Sequence, residues 1–177
     1  MISKLLLIPD SQVKPGVDTS HLEALGHWIV EHRPDVIVHI GDHFDFPSLS
    51  SYDRGTAKAE GRRVIQDIEA GNQAMQLLLG PLRSLQASQR NNRKRVYSPE
   101  MHFFIGNHEQ RIERYTNSNP EVQGVIGYHS LDLSGWTVHP FLQPHELGGV
   151  SFSHYFYNPN SGKPFGGSAE YRLNKIK

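Results

Sequence analysis

Apolar positions along this chain fall into short solid runs and into stripes at helical spacing, and the two kinds alternate. Leu5 to Ile8 is a compact apolar run that suits a buried strand, ended by Pro9 and Asp10. Leu22, Leu25, Trp28, Ile29 and Val30 form a helical stripe reaching about His32; Ser20 and Glu23 match a capping box at its start, and Arg33 and Pro34 stop it. Val36 to Ile40 is the next buried run, so the opening third reads strand, helix, strand, the pattern of a parallel sheet with a crossover helix. A longer stripe passes through Val64, Ile65, Ile68, Met75, Leu78 and Leu79 and is expected to break at Gly80 and Pro81, with a shorter helix following to about Ala87. Met101 to Ile105 predicts a third strand and Glu109 to Tyr115 a polar helix. From Trp136 onward the texture changes to short β-like runs, Trp136 to Val138 and Val150 to Ser153, and the tail from Asn158 to Lys177 has little apolar content. With no internal repeat, residues 1–177 read as one α/β domain.

Composition narrows the chemistry more than the fold. The 18 basic and 18 acidic residues cancel, so no global charge points to a nucleic-acid or membrane surface, and any attraction for anions must be local. The run from Arg90 to Arg95 is strongly basic and could touch a nucleic-acid backbone, although a solvated loop is the commoner use of such a run. The absence of cysteine excludes disulfides and thiolate ligands. No apolar stretch approaches the length needed to cross a bilayer and the start carries no cleavage-site pattern, so a soluble, cytoplasmic protein is expected. Histidine is the outlier, with 11 residues. His21, His27 and His32 suit a solvated helix face and His39 a hydrogen-bonded core position, which leaves His43, His108 and His154 where ligands or catalysts are expected.

Three clusters share one layout, a strand-like run ending in metal-ligand residues: Asp10-Ser11-Gln12, Gly41-Asp42-His43-Phe44-Asp45 and Gly106-Asn107-His108-Glu109. Carboxylates, an amide and imidazoles just beyond parallel strands converge at one edge of a sheet, where several loops can hold hard or borderline dications. Singly, Asp10 could cap a turn, Asp42 and Asp45 could be loop carboxylates, and Asn107 could simply tolerate a left-handed turn. A later histidine, His154 in the run VSFSHY, completes the set, with His129, His139 and His145 as competitors for its place.

In these motifs the chain resembles the calcineurin-like metallophosphoesterase superfamily over about residues 4 to 156. The resemblance implies a four-layer α/β/β/α sandwich and a dinuclear site in which Asp10 holds one ion, Asp42 bridges, and Asn107 and His154 hold the second. It also implies His108 as the acid that protonates the leaving oxygen or binds the phosphoryl group, with Asp45 orienting and charging it. Gln12 stands where the superfamily usually has histidine, and its carbonyl is a weaker ligand. His43, Asn107 and Arg111 are candidate substrate contacts; Arg111 and Arg114 could instead pair with Glu109 or Glu113 at the surface. The superfamily's final G-H-x-H is absent after His154, so the sandwich is expected to lack its last strands, leaving an edge open to self-association or to a complementing C-terminal segment.

The function implied is hydrolysis of phosphomonoesters or phosphodiesters through a metal-bridging hydroxide. The cofactors implied are two divalent ions, Mn2+ first, with Fe, Zn or Mg as alternatives. The substrate is a phosphate ester, with a nucleotide or nucleic acid among the candidates. A DNA or RNA nuclease of the same superfamily and a non-catalytic relative acting as a binding subunit are the competing readings.

Overall fold

The computed structural model describes residues 4–176. Residues 1–3 and Lys177, which belong to the leading segment and tail read above, lie outside the described residues. Four parallel strands form the central sheet in the order β1 (Leu5–Ile8), β2 (Val36–His39), β3 (Glu100–Phe104), β4 (Thr137–His139). Between them run α1 (Ser20–His32), α2 (Val64–Asn91) and α3 (Gln110–Ser118); beyond them come an antiparallel hairpin, β5 (His145–Leu147) with β6 (Val150–Phe152), and α4 (Ala169–Ile176). A monotonic strand order with right-handed crossovers sends α1 and α2 to the same side of the sheet. There Ile8, Ile37, Phe103 and Ile105 pack against Leu22, Ile29, Met75, Leu78 and Leu79.

Because side chains alternate along a strand, the opposite face carries Leu5, Leu7, Val36, Val38, His102, Phe104, Thr137 and His139. Its cover is the small hairpin, whose Leu147 and Phe152 pack on Val36, Val38 and Phe104. Leu5 and Leu7, on the edge strand, remain 36% and 47% exposed. The molecule is therefore a mixed α/β protein with a four-stranded parallel sheet. Among the described residues no helix is long and apolar enough to cross a membrane.

Two expectations need correction. Pro81 does not break α2, which continues to Asn91. A helix-interior proline costs about 3 kcal/mol through its missing N–H, whereas full burial of a leucine contributes roughly 1.5–3 kcal/mol, and Leu78, Leu79 and Leu82 are all buried. Pro81 is also used in packing: α1 crosses at Gly26, where a Cβ would lie 2.4 Å from the Leu78 carbonyl oxygen and 3.1 Å from the Pro81 ring. At the start of α1, the expected Ser20–Glu23 box gives way to Asp18, whose carboxylate accepts from Ser20 N (2.9 Å) and Oγ (3.0 Å). His145–Leu147, between the two β-like runs, adds strand β5, and the tail contains α4, which buries none of its residues.

Candidate metal centre

The loops that follow β1, β2 and β3 meet at the C-terminal edge of the sheet, the usual place for ligands in parallel α/β proteins. The first two are stitched together by backbone bonds from Gln12 N to Asp42 O (2.8 Å), Val13 N to His43 O (2.7 Å) and Asp45 N to Val13 O (2.9 Å). The second and third touch at two glycines. A Cβ on Gly41 would lie 2.5 Å from the Phe104 carbonyl oxygen, and one on Gly106 would lie 2.1 Å from Asp42 Oδ1. Glu109 locks this contact. Fully buried, it accepts N–H bonds from Asp42 and Gly106 on Oε2 and from Phe44 on Oε1, each 2.9 Å long. Burial pushes its carboxyl up to about 7 against the opposing pull of those N–H groups. Glu109 is thus a clamp between two loops, and it is unavailable for the surface pairing with Arg111 or Arg114 considered from the sequence.

The clamp fixes Asp42 in a left-handed backbone conformation (φ 52°), tolerable for an aspartate and aimed into the site. Its Oδ1 accepts the His108 N–H at 2.8 Å, and its Oδ2 lies 3.5 Å from His154 Nε2. His154, two residues past β6, is 2.7 Å through Nδ1 from the carbonyl oxygen of Ile40. A carbonyl only accepts, so Nδ1 carries a proton, and in the neutral form of the ring Nε2 presents a lone pair. That lone pair lies 2.9 Å from Asn107 Oδ1, and one ligand atom from each of Asp10, Asp42 and His154 falls within 4.8 Å of the others. In that form two acceptors face one another with two carboxylates beside them, an arrangement that a cation shared among them would satisfy. Three oxygen donors and one imidazole suit a hard or borderline dication. Of the competing histidines, His139 and His145 lie elsewhere, in a cluster with His102.

Beside these donors, His108 is held by Asp45. Its Nδ1 lies 2.7 Å from Asp45 Oδ1 and 2.8 Å from the Asp45 carbonyl oxygen, while Nε2 lies 3.7 Å from Asp42 Oδ2. Burial pulls the imidazole pKa down, but the two aspartates outweigh it and the net shift is upward. Asp45 also receives Lys14 Nζ at 2.7 Å; burial raises its carboxyl, yet His108 and Lys14 together hold it at about 2. Lys14 went unnoticed in the sequence, since nothing local marks it and only the Val13–Phe44 bridge brings it to Asp45. Arg111 donates to the carbonyl oxygens of Asp45 (2.7 Å) and Phe46 (3.2 Å), and its Nη2 lies 3.3 Å from His108 Nε2. It also forms one wall of a cleft of about 320 Å3 lined by Ser48, Arg54, Arg114, Tyr115 and Asn119.

Two predicted residues are placed differently. His43 is fully buried, its Nε2 on the Gly71 carbonyl oxygen at 3.0 Å beneath α2, so it faces the core and is not presented to a substrate. Gln12 is tied in through its backbone N–H, and its side chain is exposed. His39 is the core histidine expected, its Nε2 3.1 Å from Ser11 Oγ and its Nδ1 accepting the Gly41 N–H at 3.2 Å.

Fold and site together define a parallel α/β protein with a carboxylate, amide and imidazole cluster at its strand ends. No family model matches the chain. It is 32% identical over 111 residues to the Gene 54 protein of Mycobacterium phage D29, covering 63% of this chain and 38% of that protein. It is 32% identical over 115 residues to the Gene 54 protein of Mycobacterium phage L5, covering 65% of this chain and 39% of that one. The chain spans less than half the length of these curated relatives, and their names state no activity.

Proposed function

We propose that the protein is a metal-dependent phosphoesterase of the calcineurin-like class, built on the corresponding four-layer sandwich. The observation that carries this reading is the convergence of Asp10, Asp42, Asn107 and His154 Nε2 beside the Asp45–His108 pair. The donors fit divalent ions, Mn2+ foremost, and Asp42, whose Oδ2 lies 3.5 Å from His154 Nε2, would be the carboxylate shared between them. When bound, such ions supply neutralisation of the phosphoryl charge and an attacking water of lowered pKa.

The chain's own residues account for the remaining work. Asp45 keeps His108 in one orientation and raises its proton affinity; its Nε2, which here accepts from Arg111 Nη2, would take up a proton for the departing oxygen once that arginine turns to the phosphoryl group. Arg111, within 3.3 Å of that nitrogen, brings a guanidinium to bear on the same anionic group, and Arg54 and Arg114 extend positive charge along the adjoining cleft. Lys14 balances Asp45 from the far side and leaves His108 free to face the substrate.

Hydrolysis of p-nitrophenyl phosphate and bis-p-nitrophenyl phosphate tests the reading. Manganese-dependent turnover is expected, lost in Asp42→Ala and reduced about 10²- to 10⁴-fold in His108→Ala, the usual contribution of a general acid. Equal rates in the wild type and both variants would remove the assignment.

A further inference from the structure

On the sheet face opposite α1 and α2, three histidines from three strands meet away from Asp10 and Asp42. His102 lies on β3, His139 on β4 and His145 opens β5, and one nitrogen from each falls within 4.8 Å of the others. His102 and His139 are each only 8% exposed, with Nδ1 of the first 2.9 Å from Nε2 of the second. His145 is exposed, with its ring centroid 4.3 Å from that of His139.

We propose that these three imidazoles form a second metal site, for a borderline dication of the Zn2+ class, pinning the β5–β6 hairpin to the sheet. Ligand nitrogens on a tetrahedral ion with Zn–N bonds of 2.0–2.1 Å are about 3.3 Å apart, so the His102–His139 pair needs to open by only a few tenths of an ångström. At that distance the two neutral imidazoles share one hydrogen. A cation takes its place when one ring shifts to its other tautomer, with no net proton lost. Glu100, whose Oε2 lies 3.9 Å from His102 Nε2, is placed to favour the tautomer that turns a bare Nδ1 toward the cluster. The rings are poor cations where they stand: burial chiefly, and neighbouring imidazoles next, lower His102 and bring His139 down to about 4. Three imidazoles without a carboxylate favour Zn2+ over Mn2+ or Mg2+, and three protein ligands leave a fourth position for water. Nothing here depends on the phosphoesterase reading, because the residues are disjoint from that site.

Calorimetric titration of the full chain with ZnCl2 is the test, read against His145→Ala and Asp10→Asn. Both altered side chains are exposed and outside the core, so both proteins should fold. One Zn2+-binding class is expected to weaken at least tenfold in His145→Ala and to persist in Asp10→Asn, with Co2+ giving the intense visible bands of a tetrahedral complex only when His145 is present. His139→Gln, if folded, should match His145→Ala. Identical Zn2+ titrations for the wild type and His145→Ala, or loss of the same class in Asp10→Asn, would overturn the proposal.

Discussion

At the scale of residues, the behaviour of His108 turns on two partners acting against burial. A histidine whose folded pKa lies above 6.5 adds stability that is fully present below 6.5 and is lost as pH rises through the folded value; Asp45, held at about 2, adds stability present above 3.8 and lost as pH falls toward that lower figure. The pair therefore supports the fold most between 3.8 and 6.5. Asp45→Asn leaves the burial of His108 in place and removes the anion, so the His108 midpoint should fall relative to the wild type. NMR titration of the metal-free chain, following the His108 ring protons, measures this, and an unmoved midpoint would separate Asp45 from the protonation of His108.

At the scale of elements, α1 and α2 approach through Gly26, with no room for a side chain over the Leu78 carbonyl oxygen and the Pro81 ring. Gly26→Leu should force the helices apart and destabilise the protein by about 1–3 kcal/mol, the common cost of overpacking, visible as a lower urea midpoint with an unchanged slope. This contact also illustrates what a one-dimensional reading can see. Strands β1, β2 and β3 and helix α1 were legible because solid apolar runs and a helical stripe are local signals, and the three motif segments were legible because each directly follows such a run. The passage of α2 through Pro81 was not, since burial of Leu78, Leu79 and Leu82 against another helix decides it. The interior position of Glu109 was hidden for a like reason: its partners are main-chain N–H groups of residues 42, 44 and 106, which no residue type announces. His43 sits in a motif yet turns inward, because its partner is the main-chain carbonyl of Gly71 on α2, which no residue type announces.

At the scale of the whole molecule, the two faces of the sheet are unequally covered. One lies under α1 and α2; among the described residues the apolar cover of the other comes from the hairpin, with Leu5 and Leu7 open on edge strand β1. An unpaired edge with apolar side chains is a template for association. Sedimentation velocity should show association increasing with protein concentration, and Leu7→Lys should suppress it; a monomer at all concentrations in both proteins would argue against a role for this edge.

The hairpin itself has three residues in each strand, too few to hold a shape in water alone. Whatever order it has is borrowed, from Leu147 and Phe152 below it and from His145 and His154 reaching to either side. Were those attachments released, Val36, Val38 and Phe104 would be wetted, and a small surface flap would have become the weak seam of the entire sheet.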